Sequence, residues 1–168
     1  MITLTKLDCV EEAIKTTNAK YLISLLSPHQ MIPTPDGILS ENHLKLEMDD
    51  ISIPIVRMIC PDSEHVRSLL NFGKTIEDDA SVVVHCQMGM SRSAAALITL
   101  LVQRNPGREE DVVDLVYGKA LHIVPNRLII NLADYELGCR GRLARAVEEM
   151  PKPLDYSFDG LVSFRWRF

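Results

Sequence analysis

The polarity pattern changes period along the chain, and each change marks an element. From Met1 to Leu7 the residues alternate, with Ile2, Leu4 and Lys6 set against Thr3, Thr5 and Leu7, which predicts a first strand. Asp8 then stands where it can cap a short helix over Cys9–Thr16, with Glu11 completing a capping-box pattern. Tyr21–Leu26 is an apolar run of strand length and predicts a buried strand. Pro33, Pro35 and Asp36–Gly37 break any regular element between Pro28 and Glu41. Alternation returns over His43–Met48, with Leu44, Leu46 and Met48 on one face and His43, Lys45 and Glu47 on the other, so a half-buried strand is expected.

Beyond this point the period becomes helical. Pro61–Asp62–Ser63 opens a segment in which Val66, Leu69, Leu70, Gly73 and Ile76 recur at helical spacing, to about Asp78. A β-branched strand, Val82–Val84, follows. Residues Arg92–Arg104 are apolar nearly all round and predict a central buried helix, ended by Asn105–Pro106–Gly107. Three more amphipathic helices are expected over Glu109–Tyr117, Asn126–Leu137 and Arg142–Met150. Strands alternating with helices give an α/β fold with a central, mostly parallel sheet of four to five strands flanked by helices. Residues 1–150 form one expected domain. The tail, 151–168, holds five of the nine aromatic residues (Tyr156, Phe158, Phe164, Trp166, Phe168) and is expected to pack on that domain or on a second copy as a homodimer.

Composition narrows the function without naming it. At 168 residues, 46% apolar and 24% charged, the chain suits one globular domain. A net charge of −5 argues against nucleic acid and against an anionic membrane surface as partners. No run approaches the roughly 18 apolar residues of a membrane span, and no secretory pattern is present, so a cytoplasmic location is expected. Cys9, Cys60, Cys86 and Cys139 are scattered, which suits neither a disulfide framework nor a zinc site. No metal or cofactor is expected. Cys9, Cys60 and Cys139 are expected in the core.

Chemistry concentrates in Val82–Ala94. Strand, tight loop and helix N-terminus follow one another, with Gln87, Met88, Gly89, Met90, Ser91 and Arg92 forming the loop. Such a loop turns successive amides into one concavity, and the helix end adds positive partial charge, so the expected ligand is an oxyanion. Arg92 would add a planar, permanently charged fork for two phosphate oxygens. Cys86 stands at the base of the concavity, where the same dipoles would stabilise its thiolate.

The spacing Cys-x5-Arg-Ser, preceded by His and with Gly at the third loop position, resembles the signature loop of the cysteine-dependent protein tyrosine phosphatases. His85, Cys86, Gly89, Arg92 and Ser93 fall where that motif has them. The resemblance implies that Cys86 attacks phosphorus to form a phosphocysteine, that Arg92 holds the equatorial oxygens, and that the Ser93 hydroxyl eases departure of the thiolate. His85 would orient the loop without entering the reaction. A mid-chain cysteine and the absence of a Trp-Pro-Asp tripeptide make the chain most similar to the small bacterial dual-specificity-like branch. The Pro125–Asn126 step before the penultimate helix is a further, weaker likeness.

Such a reaction needs a general acid to protonate the leaving oxygen. Asp49 and Asp50 follow the His43–Met48 strand, whose end should reach the same rim as the loop. Adjacent carboxylates repel, which raises the proton affinity of one. The branch resemblance favours Asp50, with Asp49 the alternative; Asp111, Asp114 and Asp134 lie on helix faces. The expected activity is hydrolysis of phosphate monoesters, phosphotyrosine in proteins first, because the loop carries no basic residue besides Arg92 to meet a multiply phosphorylated substrate. A phosphoresidue-binding module of weak activity and a rhodanese-like sulfurtransferase are the alternatives.

Overall fold

A computed structural model describes residues 1–153, 155–158 and 160–168; Leu154 and Asp159, within the aromatic-rich tail, lie outside the described residues. Among the described residues five strands form one sheet: β1 (Ile2–Lys6), β2 (Tyr21–Leu26), β3 (His43–Glu47), β4 (Val82–Cys86) and β5 (Leu161–Phe164), in the order β3-β2-β4-β1-β5. The first four are parallel, and β5 runs antiparallel along β1 from Ile2↔Phe164 to Thr5↔Leu161. Among the described residues six α-helices complete the fold: α1 (Val10–Thr17), α2 (Ser63–Thr75), α3 (Arg92–Arg104), α4 (Glu109–Lys119), α5 (Arg127–Leu137) and α6 (Arg142–Glu148).

Strand alternation divides the core in two. Ile2, Leu4, Ile23, Leu25, Val82, Val84 and Cys86 face α3 and the helices around it, whereas Leu22 and Val83 face α1. The α3 helix is buried throughout Arg92–Val102, which accounts for its lack of a polar face. Because β4 lies in the middle of the sheet, the loop after it opens where the parallel strands end, the usual place for a ligand in such sheets. A separate groove lined by Thr17, Lys20, Tyr21 and Asp79 lies at the other end of the strands.

Three local expectations need correction. The Asp8 capping box does not form: the chain enters α1 through a 3₁₀ turn at Leu7–Cys9, and Cys9 precedes the helix with no side-chain cap. Asp62 and His65 make the capping box that does exist, at α2. Cys139 is buried, but Cys9 and Cys60 are only half-buried. The four-residue strand β5 is also absent from the alternation pattern; it joins the tail to the sheet edge and buries Phe164, with Trp166 buried just beyond it.

Candidate active site

The site is built by hydrogen bonds that approach the β4–α3 loop from outside. The Cys86 carbonyl accepts from the His85 ring at 3.4 Å and the Gln87 carbonyl from the Leu7 amide at 3.2 Å. The Gly89 carbonyl accepts from His122 Nε2 at 3.4 Å, Met90 from the Val124 amide at 3.0 Å, and Ser91 from the Asn126 amide at 3.2 Å. In a trans peptide the N–H lies opposite the C=O. Five outward carbonyls therefore turn the amides of Gln87, Met88, Met90, Ser91 and Arg92 inward. That is an anion nest, with the α3 N-terminus behind it.

Gly89 is required by this shape. Its φ is +72°, and a Cβ there would lie 3.0 Å from the Thr5 carbonyl oxygen and 3.1 Å from the Phe158 ring. Phe158 also stacks on His122, ring centroids 3.9 Å apart, so the tail and the segment before α5 support the loop together.

Three side chains carry reactive or charged groups into the nest. Cys86 is buried, and its Sγ accepts from Ser93 Oγ at 3.1 Å. Arg92 is 4% exposed and anchored through Nη1, which donates to the Met48 carbonyl at 2.8 Å; its Nε has no hydrogen-bond partner among the described residues. A buried guanidinium donor without a hydrogen bond beside a nest is placed for an oxyanion.

The two candidate acids have different surroundings. Asp50 Oδ1 accepts from Ser91 Oγ at 2.7 Å and from Asn126 Nδ2 at 2.9 Å, while Oδ2 lies 3.9 Å from Arg92 Nε. One oxygen is tethered and the other faces the nest. Asp49 instead accepts from Ser27 Oγ at 2.5 Å and from the Ile59 amide at 2.7 Å. These bonds, the Ser27 hydroxyl foremost, hold its carboxyl below the usual range, which keeps it ionised and occupied in bracing the 51–60 loop. Among the described residues no cluster of three His, Cys, Asp or Glu side chains is placed to hold a metal ion. No described helix is long and apolar enough to cross a membrane.

A family model, the catalytic domain of dual specificity phosphatases, matches residues 39–137, more than half the chain and all of this site except the parts supplied by β1, β2 and the tail. The chain belongs to that family. Solved phosphatases share its fold. Cydia pomonella PTP-2 phosphatase is 20% identical at a TM-score of 0.63, over 80% of this chain and 84% of that one. Human DUSP28 is 15% identical at 0.64, over 83% and 92%. PTPMT1, solved in complex with PI(5)P, is 16% identical at 0.61, over 82% and 90%. No curated protein sequence matches the chain.

Within this dual specificity phosphatase domain, three positioning groups escaped the sequence reading. Asn126 caps α5, accepting from Leu128 and Ile129 amides, and with the same side chain donates to Asp50 and to the Ile51 carbonyl. Its position after Pro125 signals the cap and nothing more. Behind the nest, Ser24 Oγ lies between His85 Nε2 at 2.6 Å and His43 Nε2 at 2.8 Å. Only the register of β2 against β3 and β4 brings these together.

Proposed function

We propose that the domain hydrolyses phosphate monoesters through a phosphocysteine, with phosphotyrosine in proteins as its first substrate, in the cytoplasm where its thiols stay reduced. The observation that carries this reading is the nest itself: inward amides and an Arg92 Nε without a hydrogen bond in the loop that follows Cys86, with Asp50 Oδ2 3.9 Å from that Nε. Phosphate oxygens are held by the amides and Arg92 while the Cys86 thiolate attacks phosphorus. As the S–P bond forms, the P–O bond to the alcohol or phenol breaks, and Asp50 Oδ2 gives its proton to that oxygen. Water then attacks the phosphocysteine, the now ionised Asp50 takes its proton, and the thiolate leaves toward the Ser93 hydroxyl. A loop whose only basic side chain is Arg92 suits one phosphate group, not several.

The test is hydrolysis of a phosphotyrosine peptide and of p-nitrophenyl phosphate by wild type, Cys86→Ser, Asp50→Asn and Asp49→Asn, with chelator present. Cys86→Ser should fall to background. Asp50→Asn should lose about 10²-fold on the peptide, and less on p-nitrophenyl phosphate, whose leaving group needs less protonation. Asp49→Asn should retain most activity. Turnover by Cys86→Ser would end the proposal. An inert wild type that still binds the phosphopeptide would make the domain a binding module.

A further inference from the structure

Ser24 has one hydroxyl proton and two imidazole neighbours, and this determines the hydrogen positions of a whole chain of groups. The His85 ring bonds the Cys86 carbonyl through Nδ1, and a carbonyl can only accept. The proton of a neutral His85 therefore sits on Nδ1, and Nε2 is an acceptor. Ser24 must donate to it at 2.6 Å, which leaves the Ser24 oxygen to accept from His43 Nε2 at 2.8 Å. His43 then carries its proton on Nε2, so its Nδ1 accepts from Thr34 Oγ1 at 3.0 Å. Both rings are buried and neutral: burial pushes each down to about 4, with Lys45 adding to the effect on His43.

We propose that Thr34, His43 and Ser24 are positioning residues for the nest: their one-way chain of hydrogen bonds fixes His85 as its Nδ1–H tautomer and so holds the Cys86 carbonyl outward, away from the anion. The inference rests on the phosphatase reading for its consequence but not for its geometry. Three of the five outward carbonyls are held by backbone amides, and the Gly89 carbonyl by the His122 ring, which is outside this chain of groups. The Cys86 carbonyl depends on a ring whose proton could otherwise sit on either nitrogen. Were His85 protonated on Nε2, Nδ1 would present a lone pair to that carbonyl, and the first amide of the nest, Gln87 N–H, would lose its hold. Each hydrogen bond in the chain also polarises the next in the same direction, so the His85 donor is strengthened by the groups behind it.

Tautomers are read directly from ¹⁵N–¹H correlation spectra of histidine-labelled protein. At pH 7 wild type should show His85 protonated on Nδ1 and His43 on Nε2. Ser24→Ala and His43→Leu should broaden or mix the His85 pattern and lower kcat on p-nitrophenyl phosphate about tenfold. His43→Gln, whose amide can still donate to Ser24, should restore both. A wild-type His85 protonated on Nε2 would overturn the inference without any variant having to fold. So would a His43→Leu protein with the wild-type His85 pattern and kcat, or equal defects in His43→Leu and His43→Gln. The spectra decide the matter even if wild type hydrolyses nothing, so failure of the chain and failure of the phosphatase reading are separate results.

Discussion

His43 and His85 make the stability of the fold depend on pH in a defined window. Both are lowered from the ordinary 6.5 to about 4, chiefly by burial. An unfolded chain therefore takes up protons at these sites before the folded one does. Their contribution is fully present above pH 6.5 and is lost as pH falls from there through 4. Two such histidines predict a loss on the order of 3–4 kcal/mol in unfolding free energy between pH 7 and pH 5. Depressed carboxylates act lower down: Glu109, held at about 2 by the Arg142 guanidinium, weakens the fold only below about 4.5. Urea denaturation at the two pH values measures the effect, and His43→Gln should reduce the loss by roughly half. A loss of wild-type size in that variant would place its origin elsewhere.

Among the elements, the β4–α3 loop is the one whose shape admits least change. An alanine at Gly89 must adopt a left-handed backbone and push against the Thr5 carbonyl, so the loop should distort although the sheet beneath it stays packed. Gly89→Ala is expected to cost about 1–2 kcal/mol of stability yet about 10²-fold in kcat, the scale seen when oxyanion donors are displaced. A variant with wild-type kcat would show that the nest tolerates another path. This loop could be read from the sequence because everything that defines it is local: β-branched strand, cysteine, glycine, arginine and apolar helix in thirteen consecutive residues. The helices were readable for the same reason, through their apolar stripes. Asp50 was narrower, since two adjacent carboxylates share one local pattern and only their partners, Ser91 and Asn126 against Ser27 and Ile59, distinguish them. Strand β5 and the Thr34–His43–Ser24–His85 chain were not readable. Their partners are distant in sequence, and neither alternation nor spacing encodes which strand will lie beside which.

At the scale of the molecule, apolar surface gathers around the nest. Ile53, Ile55, Val56, Met58 and Ile59 of the 51–60 loop, Met88 of the β4–α3 loop, and Leu121 and Val124 before α5 are all between 40% and 87% exposed. The three stretches are tied to one another through Asn126 to Ile51 and Val124 to Met90, and Ile59 closes its own loop on Asp49. Large apolar side chains gathered on one rim mark a contact surface, whereas single ones scattered elsewhere do not. A protein substrate whose phosphorylated residue enters the nest would lay its flanking residues across this rim. Aliphatic flanks would be favoured by burial, and acidic flanks would meet apolar surface on a domain that is already negatively charged. Ile53→Asp/Val56→Asp should therefore raise KM about tenfold for a phosphotyrosine peptide with aliphatic flanks, the equivalent of burying one or two methylene groups fewer than two side chains offer. Turnover of p-nitrophenyl phosphate, too small to reach the rim, should be unchanged. Equal losses on both substrates would mean that the loop serves only to hold Asp50. No loss on either would leave the rim without a part in substrate choice.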